Sequence, residues 1–513
     1  MAPVKYKGGK IMKKFVSLLL VAILALSVCS LAAAEEEKPT LKILNMAQTY
    51  NYEDQPQHQQ LIEMTGYNVE WYMTPLENGT QMVMLQIASG ESYDLLYHQG
   101  ADLISQLNDA GLLLPLNDLL EQYGDNIVGN PSEAAWKTVT DEDGTIFALP
   151  SESFLPMGDS SRYGLQQYGI MFNMDIMNEL NLELPKTIDQ FYDVCVAYKN
   201  ATGKAAFTCS NTVWEIHSIM PAFGMGTAVW YAAGDKIVHR LNHPGLEGYV
   251  TFMQKLYAEG LMDPDMPINS SANAMEKFTT GNALCMVSAF FNYDSVASGF
   301  KAAGTEPELK FVPGLVQNEG DTPILYRVAG VTYNTAIPTT AEHPEDAMKW
   351  LNILSEPENN KAIYIGEEGV HYEIREDGYW PIQPAFAEKL NADKFVAFPS
   401  TAEMHEQWMA RARKTETIGA AFAQINEGVE NFDIRYVWES FANGIPALTE
   451  NAETINTLIG DALMKVIVEG GDVAATIEQI KADAKDENFD EMQAAMDEWY
   501  AEYSSSYDWS IAE

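Results

Sequence analysis

Residue types able to carry out covalent chemistry are plentiful in this chain, but their spacing assembles no reaction centre. With 73 Asp and Glu, carboxylate pairs at acid–base separations arise everywhere by chance, so they point to no hydrolytic site. His405-Glu406 is followed by Met409 where a zinc-hydrolase helix needs its second histidine. Gly224-Met225-Gly226 lacks the third glycine of a dinucleotide-binding loop and follows no clear strand. No Gly-x-Ser-x-Gly elbow occurs. Asp141-Glu142-Asp143-Gly144 departs from calcium-loop spacing and, between Val139 and Ile146, reads as a hairpin turn. The expectation is a protein with no catalytic residues, no cofactor and no resident metal.

Charge and size narrow the classes further. The 31 Lys and Arg against 73 acids leave a formal charge of −42, which repels phosphate backbones and excludes nucleic acid as a partner. The 513 residues exceed what one core holds and suit two or three domains. Beyond Cys29 in the leader, the cysteines are Cys195, Cys209 and Cys285, an odd number and too few for a disulfide scaffold. Cys195 falls on an apolar helical face and reads as a small buried hydrophobe. A single Cys195–Cys209 bridge stays open.

The first 34 residues hold five lysines and no acid, then an apolar run from Phe15 to Val28, then Ala32-Ala33-Ala34 before Glu35. That is the three-part pattern of an export signal cleaved after Ala34. An alternative exit at Leu26-Ser27-Val28-Cys29 resembles a lipobox, with Val28 where a smaller residue is usual, and would leave a lipid anchor on Cys29. Either exit places the working protein outside the cytoplasmic membrane, extracellular or at the cell surface.

The elements beyond the leader begin with strand-like runs at 41–46, at 67–73 and at 93–97, separated by polar stretches of helix length. Tyr67, Val69, Trp71 and Met73 alternate at period two in the second of these runs. Strand–helix–strand–helix–strand order implies parallel pairing with right-handed crossovers, an α/β layer. Thr187 and Gln190 form a capping box ahead of Phe191, Val194, Cys195 and Tyr198. Leu246 to Tyr257 and Pro344 to Leu354 are further helices, and from Glu450 the chain reads as wholly helical. Two extended segments, 145–150 leading to 169–173 and 327–334, are the expected crossings between lobes.

Seven segments in order give this chain a family resemblance. They are Ser89-Gly90-Glu91 with Asp94; Asp143-Gly144-Thr145-Ile146 to Pro150; Phe172-Asn173-Met174-Asp175 with Leu184-Pro185-Lys186-Thr187; Gly260-Leu261-Met262-Asp263-Pro264; Thr280-Gly281-Asn282-Ala283; His343-Pro344-Glu345-Asp346-Ala347; and Gly366-Glu367-Glu368-Gly369-Val370-His371-Tyr372. The chain resembles the carbohydrate-type (family 1) extracellular solute-binding proteins of bacterial ABC importers, in their large lipoprotein-like branch. The resemblance implies a type II periplasmic-binding-protein fold: two α/β lobes joined by hinge crossings, with a helical C-terminus. The expected division is residues 1–34 as signal peptide, 35–150 and 327–390 as the first lobe, and 151–326 and 391–513 as the second. It implies a monomer that closes on a carbohydrate, an oligosaccharide given the long chain, and hands it to ABC permease subunits in the membrane.

A sugar offers apolar ring faces and a rim of hydroxyls, so its site needs aromatic platforms beside amide and carboxylate groups. The residues expected to supply them follow strands or sit in irregular segments: Gln48, His98, Glu152, Trp214, Trp230, Asn292 and Trp380. Two other readings stay open from sequence: a peptide- or polyamine-binding receptor of the same fold, and a secreted glycoside hydrolase.

Overall fold

A computed structural model describes residues 38–504 except 47–50, 76–77, 154–165, 212–215, 217, 234–235, 329, 377, 393–401, 443–444 and 450. The export signal, Cys29, Gln48 and Trp214 therefore lie outside the described residues.

The first sheet is built from β1 (Thr40–Asn45), β2 (Asn68–Met73), β3 (Leu95–Gln99), β4 (Leu149–Ser153) and β12 (Gly330–Ala336), in the order β2-β1-β3-β12-β4. β1 pairs in parallel with β2 and β3, while β12 runs antiparallel to both β3 and β4. Its strands bury both faces. Leu41, Ile43, Leu95 and Tyr97 pack with Trp350 and Leu351 of the helix Pro344–Leu354. Leu44, Leu96 and Ala336 pack instead with Val83, Ile87, Leu103 and Ile104. Helices on both faces explain why β3 is buried at all five positions rather than alternating.

The second sheet joins β5 (Tyr168–Asn173), β6 (Phe207–Thr208), β9 (Cys285–Ala289) and β10 (Leu309–Val312) in the order β10-β5-β9-β6. β6 is parallel to β9, and β5 is antiparallel to both β9 and β10. The helix Ile188–Thr202 covers it, opened by the expected capping box and closed by Gly203 in the left-handed conformation. The C-terminal helices Ala452–Glu469, Val473–Asp486 and Phe489–Tyr503 share one core with Leu246, Tyr249 and Val250 of the helix Leu246–Ala258. Cys195, Cys209 and Cys285 are buried free thiols, so the Cys195–Cys209 bridge does not form. No helix among the described residues is long and apolar enough to cross a membrane.

Strand directions fix how the two sheets face. β4 is parallel to β3, so the chain leaves the first sheet at the carboxyl ends of β1 and β3. It enters the second at the start of β5, which is the carboxyl end of β9 and β6. The return path leaves β10 at that same end and enters β12 where β3 terminates. Both connections thus join one sheet's carboxyl ends to the other's, the end of an open α/β sheet that binds ligands.

The return path itself holds β11 (Ile324–Val328), which overlaps the expected crossing at residues 327 and 328; its parallel pairing with β15 (Asp433–Val437) was not anticipated. Gly330 opens β12 with φ +119, and a Cβ there would lie 2.0 Å from Ser440 Oγ. Gly330→Ala should therefore lower stability by more than about 1 kcal/mol, through both the left-handed backbone and the clash. Urea denaturation checks this, and an unchanged midpoint would refute it.

Candidate functional site

The second sheet ends in a cavity of about 330 Å³ at the carboxyl termini of β6 and β9. Ser210 reaches it from just beyond β6, Ser288 from β9, and Asn292 from the single turn Phe290–Asn292 that follows β9. Tyr168 contributes from the start of β5, its ring edge-on to Phe291 with centroids 6.0 Å apart. Thr227 adds a hydroxyl, and Ile216, Ala274, Met275 and Met286 make the apolar wall. All the lining side chains among the described residues are uncharged, and they pair amide and hydroxyl groups with an apolar surface, as a neutral polar solute requires.

The carboxyl end of the first sheet carries unsatisfied polar groups. Asn45 closes β1 at 1% exposure; its Oδ1 accepts from Met46 N at 2.8 Å, while Nδ2 has no partner among the described residues. Ser151 Oγ in β4 is likewise buried without a partner there. Each such group costs about 1–3 kcal/mol unless something meets it. Gln99 is fully engaged instead: its Nε2 donates to Leu44 O and Tyr97 O, and its Oε1 accepts from Thr74 Oγ1.

Of the residues expected from sequence, Asn292 lines the cavity. Glu152 does not: its carboxylate accepts from Ser132 N at 2.7 Å and Ser132 Oγ at 2.5 Å, fastening the start of the helix Glu133–Lys137. His98 is a core residue, stacked on Tyr97 at 4.2 Å, and burial lowers its pKa to about 3, so it stays neutral. Trp230 was expected as an open platform, but it is 6% exposed in the core, edge-on to His239 at 4.9 Å. Trp380, half-buried on the hairpin of β13 (Tyr372–Arg375) and β14 (Gly378–Pro381), has Arg413 and Arg375 over its ring at 3.8 and 4.3 Å. Arginines already stack on it. Tyr168, Ser210, Thr227 and Ser288 went unnoticed in the sequence; the signal for Ser210 was its place immediately after a strand.

A strongly perturbed carboxyl group lies elsewhere in the second body. Glu439 accepts from Trp230 N at 2.7 Å and Val229 N at 3.0 Å, at the edge of the hairpin of β7 (Trp230–Ala233) and β8 (Lys236–His239). Burial raises its pKa to about 7, although those two bonds and the Arg240 charge pull downward. A raised folded-state pKa means the folded protein holds this proton more tightly than the unfolded chain. Its contribution is therefore fully present below the unfolded value and lost as pH rises through about 7. Neighbouring His239 and His243, lowered by burial to about 3 and 4, act oppositely as pH falls below 6.5. Comparison with Glu439→Gln isolates the carboxyl: wild type should gain stability relative to the variant between pH 8 and pH 5. Parallel denaturation curves at the two pH values would contradict it.

Comparisons with known proteins bear on the family and the fold. The family model for the bacterial extracellular solute-binding protein matches residues 52–361, more than half of the chain. An uncharacterized protein from the butB 5' region of Niallia circulans is 31% identical over 255 residues, covering 49% of this chain and 98% of that one. The fructooligosaccharide ABC transporter substrate-binding protein FusA of Streptococcus pneumoniae is 25% identical over 251 residues, 45% of this chain and 46% of FusA. The sequence match thus spans under half of FusA's length. Among solved structures, the alginate-binding protein AlgQ2 superposes with a TM-score of 0.68 at 16% identity, over 91% of this chain and 98% of AlgQ2. FusA in complex with kestose gives 0.66 at 17% identity, over 91% and 100%. At such identities the likeness to the solved structures is one of fold: two lobes with a helical C-terminal region.

Proposed function

The chain belongs to the bacterial extracellular solute-binding protein family, and from that premise we propose that it captures an oligosaccharide between its lobes for an ABC importer. The observation that carries the reading is the cavity at the carboxyl ends of β6 and β9, whose described lining is uncharged, at the end of the second sheet where β5 begins and β10 finishes. Hydroxyl and amide groups of Ser210, Thr227, Ser288 and Asn292 meet a sugar's rim, and the Met275 and Met286 wall meets its ring face. Asn45 Nδ2 offers a further group from the opposite lobe, and Ser151 Oγ one from β4 at the boundary between the lobes. The fructooligosaccharide named for FusA and the alginate named for AlgQ2 support a carbohydrate as the solute class.

Capture of this kind makes no bond; it needs higher affinity for the closed arrangement than for the open one. The family consists of binding proteins, and the sugar is expected to leave unaltered. The lobes divide as 35–150 with 327–390 and 151–326 with 391–513. The working molecule is a monomer, exported by residues 1–34 and released or held at the surface through Cys29, where it meets its permease.

Thermal unfolding in the presence of a panel of oligosaccharides tests the reading. A true solute at a hundredfold excess over its Kd should add about 2.7 kcal/mol of stability by mass action. Asn292→Ala should weaken that solute about tenfold, about 1.4 kcal/mol, by removing one hydrogen-bonding side chain from the cavity. Stabilisation by peptides but by no saccharide, or cleavage products on prolonged incubation, would overturn the proposal.

A further inference from the structure

Gln166 stands where the chain enters the second sheet, 3% exposed and two residues ahead of the cavity-lining Tyr168. Its side chain donates from Nε2 to Tyr168 O and, at 2.6 Å, to the O of Pro313, the first residue beyond β10. Its backbone exchanges bonds with one distant side chain. Gln166 N donates to Asn426 Oδ1 at 2.9 Å, and Asn426 Nδ2 donates back to Gln166 O at 3.0 Å. One buried amide thus ties the entry to β5 to the exit from β10, the two places where the interlobe connections meet the second sheet.

Asn426 is within reach because it closes the helix Glu416–Ile425, which lies against the same strands. Gln424 Oε1 of that helix accepts from Phe311 N of β10 at 3.1 Å. A Cβ on Gly169 of β5 would come 3.2 Å from Ile425 Cδ1 and 2.9 Å from Val312 O, so strand and helix end are already in close contact. On the other side, Gln167 O accepts from Phe290 N at 2.9 Å, which fastens the turn carrying Asn292 to the same short segment. Residues 166–168 are therefore held by β10, by the helix end and by the turn after β9, and of the three only Tyr168 lines the cavity.

A side chain that meets a solute keeps its aim only if the residues behind it are themselves held by packing and hydrogen bonds. We propose that Gln166 is a positioning residue for solute capture: by fastening the Tyr168 carbonyl to Pro313, it sets the angle at which the Tyr168 ring enters the cavity. Buried behind the wall, Gln166 touches no solute itself. The inference rests on the saccharide-capture reading above and adds to it the residue that orients one wall of the site.

A double-mutant cycle separates positioning from a general loss of structure. Gln166→Met keeps length and bulk but donates no hydrogen bond, and Tyr168→Ala removes the ring. With the saccharide that stabilises the wild type, calorimetry should show Gln166→Met weakening binding about fivefold and Tyr168→Ala about tenfold. The double variant should lie within about twofold of Tyr168→Ala, because Gln166 acts through that ring. A purely structural Gln166 would weaken binding equally in both backgrounds. That additive result, or wild-type affinity in Gln166→Met, would overturn the assignment and leave the saccharide reading intact. Should Gln166→Met fail to fold, Asn426→Leu, which releases the Gln166 backbone from the helix end, carries the same expectation. A wild-type protein that no saccharide stabilises would overturn the reading and this inference together.

Discussion

Ser210→Trp should abolish solute capture, with a loss of at least about a hundredfold in affinity, or about 2.8 kcal/mol. Ser210 is half-buried just beyond β6 and lines the 330 Å³ cavity, so an indole in its place occupies the space the solute needs. The fold should tolerate the change, because the side chain faces the cavity and not a packed core. Ser210→Ala separates volume from hydrogen bonding: it deletes one hydroxyl and should cost about 1 kcal/mol of binding. Calorimetry with the solute found by thermal screening measures both. Wild-type affinity in a folded Ser210→Trp protein would show that the cavity takes no part in capture.

Asp263→Ala should destabilise the second lobe by about 3–5 kcal/mol, the range for removing one partner of a buried ion pair. Asp263 is 6% exposed. Its carboxylate accepts from Lys277 Nζ at 2.8 Å, Asn269 Nδ2 at 2.7 Å, Thr208 Oγ1 at 2.9 Å and the backbone N of Asp265 at 3.1 Å. Deleting it takes the buried carboxylate from the Lys277 ammonium, which keeps Asp265 and Asn269, and removes an acceptor from three further donors, Thr208 Oγ1, Asn269 Nδ2 and the Asp265 backbone N. Burial pushes the Asp263 pKa upward, but the four bonds outweigh it and hold the group below the ordinary range. A depressed folded-state value means this stabilisation is present above the unfolded pKa and lost as pH falls through the folded one. Urea unfolding at pH 7 should therefore show the full deficit of the variant, and the gap to wild type should close in strong acid. A variant within 1 kcal/mol of wild type at pH 7 would contradict this account.

Both predictions concern the second sheet, where sequence and structure contributed unequally. Gly260 to Pro264 was legible as a family segment, but nothing in the order of residues revealed that Lys277 returns to close on Asp263. In the same way Asn292 was legible because it follows a strand, whereas Tyr168 and Thr227 meet it only through the pairing of β5 with β9 and the path of an irregular loop. Trp230 and Trp380, two of the aromatic candidates, are occupied for a definite reason. An irregular segment rich in Trp and Tyr looks like an open platform, yet Trp230 satisfies its apolar surface against His239 and the C-terminal helices. His98 and Glu152 follow the same logic, one consumed by packing and the other by holding Ser132, the residue that caps a helix.

The amino-acid order alone determined the quantities that depend on neighbours in the chain. These include the capping box at Thr187 and Gln190, the apolar stripes of the helices, the α/β alternation, the acidic charge, and the ordered motifs that mark the family. Periodicity and capping act within a few residues, so they are readable without coordinates. The tertiary structure decided which strand ends share a cavity, which aromatic rings are already occupied, and which buried polar atoms await a partner. Those properties arise between residues far apart in the chain, as Asn334 beside Phe147 and Ser440 illustrates, and only a fixed arrangement of both lobes sets them.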